Sequence, residues 1–292
     1  MLKYIIMTIK KLTASDFPHR LREIPDPPKE LFIEGRMPPE THKWLAVVGS
    51  RKCTHYGREV TERLISGLTG YPVVIVSGLA LGIDALAHRA ALDAGLLTVA
   101  VPGSGLDRSV LHPPSNRALA EEILKAGGAL LSEFPPKFPA SLWGFPQRNR
   151  IMAGLSDAVL IIEAEEKSGT LITSKLATDY NRDVLVVPGS IFSSFSAGPH
   201  MLLRLGATPI TNALQLREAL GFKEERDETV QSALRLACSP EEKKVLALLG
   251  SPLPREELLE ELGLPIGKAN ALLSTMELKG FIKEQMGEIR VV

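Results

Sequence analysis

The feature that most restricts how this chain can fold is a series of short, almost uninterrupted apolar runs. They are Leu45-Ala46-Val47-Val48, Val73-Val74-Ile75-Val76, Leu97-Thr98-Val99-Ala100-Val101, Ala129-Leu130-Leu131, Ala158-Val159-Leu160-Ile161-Ile162 and Val184-Leu185-Val186-Val187. Each has the length of a strand, and nearly continuous apolar sequence suits a strand buried on both faces. Amphipathic helical patterns lie between most of them, at 58–68, 83–94 and 116–126. Strands that alternate with helices imply right-handed crossovers and a parallel sheet. The expected fold class is therefore α/β, a parallel sheet flanked by helices. In such sheets ligands bind beyond the carboxyl ends of the strands.

The sheet region is expected to span 44–221 of the 292 residues. Residues 1–43, with Pro25-Asp26-Pro27-Pro28 and Met37-Pro38-Pro39, read as an extended lead-in lying on that domain. Residues 222–238 open on a charged run, Lys223 to Glu228, and read as a solvated linker. A small unit follows at 239–292. Ser239 and Glu242 form a capping box, Pro254 starts a second helix that Gly263 ends, and a third helix runs from Ile266 to Lys279. A hairpin around Gly287 completes the outline of a winged helix.

Composition narrows the function. Hydrophobic residues make up 45% and charged residues 23%, so a mostly disordered chain is excluded. Lys plus Arg is 34, Asp plus Glu is 34, and the net charge is +0, which excludes a protein that coats nucleic acid by bulk charge but not one with a local basic site. Cys53 and Cys238, the two cysteines, give neither a disulfide framework nor a zinc pattern. No metal and no cofactor is expected. The apolar stretches are far short of a membrane span. The patch Tyr4-Ile5-Ile6-Met7 is too short for a leader and lacks a cleavage site. The reading is a cytoplasmic protein with no membrane contact.

Several strand exits carry glycine and hydroxyl residues: Gly49-Ser50-Arg51, Ser77-Gly78-Leu79-Ala80-Leu81-Gly82, Gly103-Ser104-Gly105, and Ser168-Gly169-Thr170. Glycine lets a backbone approach a ligand closely, arginine offers a fork to phosphate, and a helix start presents amide donors. One such turn is no more than a tight connection. All at one sheet edge favour a phosphate or nucleotide site, although no Walker lysine and no Gly-x-Gly-x-x-Gly is present. In Phe145-Pro146-Gln147-Arg148-Asn149-Arg150 two arginines sit in the first turns of a helix, where the macrodipole disfavours them. An anionic ligand at that end would remove the conflict; pairing with Asp or Glu is the alternative for one of them. His88 follows Asp84 by four residues, which suggests an internal Asp–His hydrogen bond, and a Ser77–His88–Asp84 catalytic set lacks a nucleophile elbow. His112 and His200 read as structural.

These stretches, together with Tyr56-Gly57, Ala87-His88, Gly105-Leu106-Asp107, Leu131-Ser132-Glu133-Phe134-Pro135, Leu171-Ile172-Thr173 and Val187-Pro188-Gly189-Ser190, closely resemble the DNA-processing protein A family (DprA, also called Smf). The match runs in unbroken order over about residues 21–221. The resemblance implies that the α/β unit is a Rossmann-like parallel sheet flanked by helices, in a single-stranded DNA-binding protein of natural transformation. It would protect incoming strands, help load the RecA recombinase, act as a homodimer and have no enzymatic activity. It also implies that Arg51 contacts DNA phosphate and that Ser50, Gly78, Arg148, Asn149 and Arg150 line the same pocket, with Gly169 and Thr170 among the DNA-binding residues. Many members carry a sterile-alpha-motif-like domain first, and the chain has too few residues there for one. Some place a DNA-contacting lysine where Pro114 stands here, and Arg117 is the nearby substitute. Met201, Leu202 and Leu203 correspond to the dimer contact.

Two other readings compete. The stretch from Arg148 through Thr170 also looks like the phosphoribohydrolases that cleave nucleoside monophosphates, but Thr173 stands where their catalytic Glu would be. A regulator whose winged helix binds duplex DNA is the third. Lys268 and Lys279 are nearly the only basic residues of its reading helix, so protein contact is at least as good a use of that surface.

Overall fold

A computed structural model of the chain describes residues 8–222, 239–250, 252–285 and 287–291. Tyr4–Met7, the charged run from Lys223 and Cys238 lie outside the described residues. The described residues form two compact units, divided within 223–238.

The larger unit opens with β1 (Lys10–Thr13), α1 (His19–Arg22) and β2 (Glu30–Gly35). Then strands and helices alternate: β3 (Lys43–Val48), α2 (His55–Ser66), β4 (Val73–Ser77), α3 (Ile83–Asp93), β5 (Leu97–Ala100), α4 (Arg117–Lys125), β6 (Ala129–Ser132), α5 (Gly144–Leu155), β7 (Ala158–Ile161), α6 (Thr170–Asp179), β8 (Asp183–Val186), α7 (Ala197–Arg204), β9 (Thr208–Pro209) and α8 (Ala213–Ala219). The six apolar runs are β3 to β8, and the α/β expectation holds. The sheet has nine strands in the order β1-β2-β6-β5-β4-β3-β7-β8-β9. Pairings from β6 to β9 are parallel.

Alternation on each strand divides the core between the two faces. On β3, Trp44, Ala46 and Val48 join one buried cluster while Leu45 and Val47 join the other. On β7, Val159 and Ile161 go one way and Ala158 and Leu160 the other. The chain winds from β3 outward to β6 and then returns to place β7 on the opposite side of β3. The β3–β7 boundary is thus the topological switch point, where the crevice for a ligand opens.

The stretch read as a lead-in contributes more than an extended cover. β2 pairs antiparallel with β6, and β1 pairs antiparallel with β2. Leu31 and Ile33 are buried in the core, and Glu34, nearly buried, receives two hydrogen bonds from Arg108 at 2.7 and 2.9 Å. The apolar part of β2 is three residues between two glutamates, too short a pattern to stand out among prolines.

The smaller unit holds α9 (Pro240–Leu248), β10 (Leu253–Pro254), α10 (Arg255–Leu262), α11 (Ile266–Leu278), β11 (Ile282–Gln285) and β12 (Glu288–Val291). The capping box is present: the Ser239 hydroxyl accepts from the Glu242 N–H at 3.2 Å, and the Glu242 carboxylate accepts from the Ser239 N–H at 2.7 Å. Gly263 ends α10 with φ +63°. Val245, Leu258, Leu273, Met276 and Ile289 form its core. Three helices and a small sheet, ordered β10-β12-β11, make the expected winged helix.

Candidate functional site

A pocket of about 380 Å³ opens beyond the carboxyl ends of β3 and β7. The β3 exit supplies Ser50, Arg51 and Lys52. The turn is fixed by backbone bonds: the Ser50 N–H donates to the Glu163 carbonyl at 2.8 Å, and the Ser50 carbonyl accepts from the Ile83 N–H at 3.1 Å. Gly82, with φ +75°, passes so close that a side-chain carbon there would lie 2.2 Å from the Ser50 carbonyl oxygen. Arg51 is exposed, and among the described residues neither it nor Lys52 has an ion-pair partner. The Arg51 guanidinium lies 4.8 Å from the centre of the Phe145 ring.

The wall opposite comes from α5. Phe145, Arg148, Asn149 and Met152 follow the i, i+3, i+4, i+7 spacing of one helical face, and all four line the pocket. Arg148 is 5% exposed. Its Nη1 donates to the Val101 carbonyl at 2.7 Å, and its Nη2 lies 3.6 Å from the Asp84 carboxylate. Asp84 also accepts from the Gly78 N–H at 3.1 Å. Burial pushes the Arg148 guanidinium down from its ordinary value, and Asp84 opposes that shift; burial likewise pushes the Asp84 carboxyl up, against the pull of Arg148. Arg148 is therefore a buried cation with its counter-ion in the fold, and the helix-dipole conflict that suggested an anionic ligand is answered by Asp84. Arg150 faces away from the pocket. It pairs with Glu133, and its Nε lies 3.8 Å from an Asp26 carboxylate oxygen. Both arginines thus take acidic partners, where one at most was expected to. Asn149 is buried, lines the pocket and has no side-chain hydrogen bond among the described residues.

The β7 exit closes the pocket with Ser168, Gly169 and Thr170, where α6 begins; the Thr170 N–H donates to the Ser168 hydroxyl at 3.2 Å. Thr173 lies one turn further, buried in the lining. The β4 exit takes part differently. Gly78 lines a smaller adjoining hollow of about 50 Å³ with Arg51, His112 and Phe145. Leu79 holds φ +58°, a conformation costly for a branched side chain. Asn116 supports it by donating to the Leu79 and Ala80 carbonyls at 2.8 and 3.2 Å. Arg117, expected as the substitute for a missing lysine, lines neither cavity. Its guanidinium donates to the Leu111 and Ser109 carbonyls at 3.2 and 3.1 Å, which ties it to that loop.

The suggested Asp84–His88 bond is absent. His88 Nδ1 lies 2.7 Å from the Thr98 hydroxyl, while the Ser77 hydroxyl donates to the Val47 carbonyl at 2.7 Å, so no catalytic set forms. Among the described residues no group of three or more His, Cys, Asp or Glu is placed to hold a metal ion.

The motifs that build this pocket have known counterparts. Residues 8–221 match the family described as DNA recombination-mediator protein A, and residues 229–288 match the DprA winged helix domain. The chain belongs to the DprA family. Protein Smf of Escherichia coli is 36% identical over 91% of this chain and 72% of its own. The DNA processing protein DprA of Streptococcus pneumoniae is 43% identical over 67% of this chain and 68% of its own. A solved structure of the S. pneumoniae DprA superposes with a TM-score of 0.68 at 39% identity, covering 74% of this chain and 75% of that one. A DprA from Helicobacter pylori, solved to show its single-stranded DNA binding mode, has a TM-score of 0.66 at 32% identity and covers 74% of this chain and 96% of its own.

Other features of this DprA-family chain depart from the sequence reading. Leu202 is buried in the sheet core, and Leu203 packs against it. Met201, by contrast, is exposed, as are Leu205, Ile191 and Phe192. The α7 helix presents one stripe to the core; on its outer side Met201 and Arg204 are exposed, and the exposed Leu205 follows its end. Phe145 and Lys52 line the pocket without having been singled out. Lys52 follows Arg51 on the same turn, and Phe145 lies one turn ahead of Arg148 and Asn149 on one helical face, so spacing held both signals. In the winged helix, Lys268 lies 3.3 Å from Glu241 and Lys279 lies 2.7 Å from Glu242, so acids of α9 occupy both lysines of the reading helix. No helix of the described residues is long and apolar enough to cross a membrane.

Proposed function

We propose that the pocket grips the phosphates of single-stranded DNA with low sequence preference, and that the protein protects strands taken up in natural transformation and helps load the RecA recombinase onto them. The observation that carries this reading is Arg51 at the rim, which has no ion-pair partner among the described residues, in one pocket with the Asn149 amide, which has no side-chain hydrogen bond among them, and with the Thr170 hydroxyl. A cation, an amide and a hydroxyl lining one pocket at a switch point suit a phosphate oxygen. The single-stranded DNA described for the H. pylori relative supports the same ligand. Ser50, Arg51, Lys52, Asn149, Gly169 and Thr170 would meet the strand, while Gly78 and Arg148 shape the wall. The strand-binding domain takes in β1 and β2, which extend the sheet ahead of the expected start at residue 44, and runs to residue 221; 222–238 is the linker to a winged-helix domain at 239–292. The protein works in the cytoplasm as a homodimer through the exposed Met201 and Leu205 at the carboxyl end of α7, and it catalyses no reaction. Nucleotide hydrolysis is not favoured, because Thr173 stands in the pocket where a carboxylate is required.

Two lining cations without an ion-pair partner among the described residues, Arg51 and Lys52, set the salt dependence. At about −0.7 per neutralised phosphate on a single strand, log K should fall against log salt with a slope of about −1.4 per pocket. The test is a salt series of strand-binding titrations on the wild type and Arg51→Glu. The variant should lose most binding at low salt. Unchanged binding by Arg51→Glu would remove the pocket from the interface.

A further inference from the structure

The chain has two tryptophans, and they differ sharply: Trp44 is 1% exposed and Trp143 is 57% exposed. Trp143 directly precedes α5, and its carbonyl accepts the first helical bond, from the Gln147 N–H at 3.3 Å. The preceding turn is closed by the Gly144 N–H donating to the Ser141 carbonyl at 3.1 Å. The indole itself is braced. Phe134 and Phe138 stack on each other with centroids 4.8 Å apart, and both meet Trp143 steeply, at 5.5 Å and 81° and at 5.6 Å and 68°. Neither phenyl ring lies parallel to the indole. Leu142 beside it is 89% exposed.

A large indole braced by two phenyl rings, and exposed beside an exposed leucine, offers a fixed aromatic surface to a partner. Its position identifies one. Two residues on, within about 7 Å of chain, Phe145 lines both the pocket and the adjoining hollow and carries Arg51 over its ring. A flat, pre-ordered aromatic face next to a phosphate-binding cation is the pairing that single strands use, with the backbone held by charge and a base stacked on the ring. We propose that Trp143 is the stacking platform for one unpaired base of a strand whose phosphate sits at Arg51. The proposal rests on the strand-binding reading above. It adds a contact that is tolerant of sequence, because every base has a π-face.

The test titrates end-labelled oligothymidylate, and a labelled strand of equal length carrying abasic positions, with the full chain, reading affinity from the anisotropy of the strand's label and following tryptophan fluorescence of the wild type beside it. Trp44 is buried, so quenching reports Trp143. The wild type should be quenched by oligothymidylate and bind it about fivefold or more tightly than the abasic strand. Trp143→Ala should bind both strands equally, Trp143→Phe should keep part of the preference, and neither should change the salt slope, since no cation is lost. The comparison of the two strands on the wild type stands even if Trp143→Ala folds poorly. Equal affinity of the wild type for both strands, with Arg51 and salt dependence intact, would overturn the platform while sparing the phosphate site. An indole that serves a protein contact gives that same result. Binding of neither strand by the wild type would overturn both.

Discussion

Gly78→Ala is expected to destabilise the larger unit by about 3–5 kcal/mol, although the new methyl group enters a strand exit beside a cavity. A Cβ at residue 78 would lie 1.3 Å from Arg148 Nη1, 2.0 Å from Cζ and 2.2 Å from Nη2. Ordinary contact between such atoms is about 3.5 Å, so the guanidinium must retreat by roughly 2 Å. At the end of an exposed arginine that movement would cost little. Here the side chain is buried, and the retreat stretches the 2.7 Å bond to Val101 and the 3.6 Å approach to Asp84. Both charges would then be left buried and unsatisfied, and breaking such a pair costs about 3–5 kcal/mol. For a unit of this size the melting point should drop by on the order of 10 °C. Thermal and urea unfolding followed at buried Trp44 measures it. The cause is isolated by repeating Gly78→Ala in an Arg148→Met background, where the methyl group meets no fixed cation and should cost less than about 1 kcal/mol more. A loss below about 1 kcal/mol in the wild-type background, or an equal loss in both, would show that the guanidinium is not held as the structure implies.

Two further outcomes are expected. His88 is buried, and burial first and Arg148 second push its pKa from 6.5 down to about 3. The folded state therefore keeps it neutral while the unfolded chain takes up a proton; its contribution is whole above pH 6.5 and is lost as the pH falls from 6.5 toward 3, and His88→Asn should flatten stability over that window in urea melts at stepped pH. At the proposed dimer surface, Leu205→Asp should leave melting nearly unchanged and halve the mass seen by light scattering, whereas Leu202→Asp, which buries a charge in the core, should unfold the unit. Wild-type mass equal to one chain would defeat the dimer.

The sheet was legible because each interior strand is apolar on both faces, so the signal does not depend on register. The strands that escaped are those whose burial is borrowed from a neighbour. β2 offers three apolar residues and earns its place by pairing with β6, and β9 is the two residues Thr208–Pro209. The pocket was legible as a set of strand-exit turns, since glycine and hydroxyl residues recur at the same edge. What the sequence could not show is the division of labour among the arginines. Arg148 and Arg150 stand two residues apart on one helix, and each finds its acid on a different element, Asp84 on α3 and Glu133 after β6. Those pairings are tertiary, and no local spacing reports them. The same holds for His88, whose partner Thr98 sits on β5 rather than one turn back at Asp84.

That division decides how such a site can hold a polyanion. Of the four arginines expected at the strand, two are neutralised by acids and one is spent on carbonyls of its own loop, leaving Arg51, with Lys52 beside it, against Glu165 on the same rim. A binder that worked by accumulated charge, with 6–10 phosphate contacts, would lose about 10³–10⁵ in affinity between 50 and 200 mM salt. The two lining cations imply a loss of about sevenfold per pocket over the same range. Whatever affinity survives at high salt must come from groups that carry no net charge: the base stacked on Trp143 and, among donors, the Asn149 amide and the Thr170 hydroxyl. Those donors act through direction and distance rather than through field, so the buried Asp84–Arg148 pair matters to binding without touching the strand: it fixes the α5 face on which Asn149 is presented.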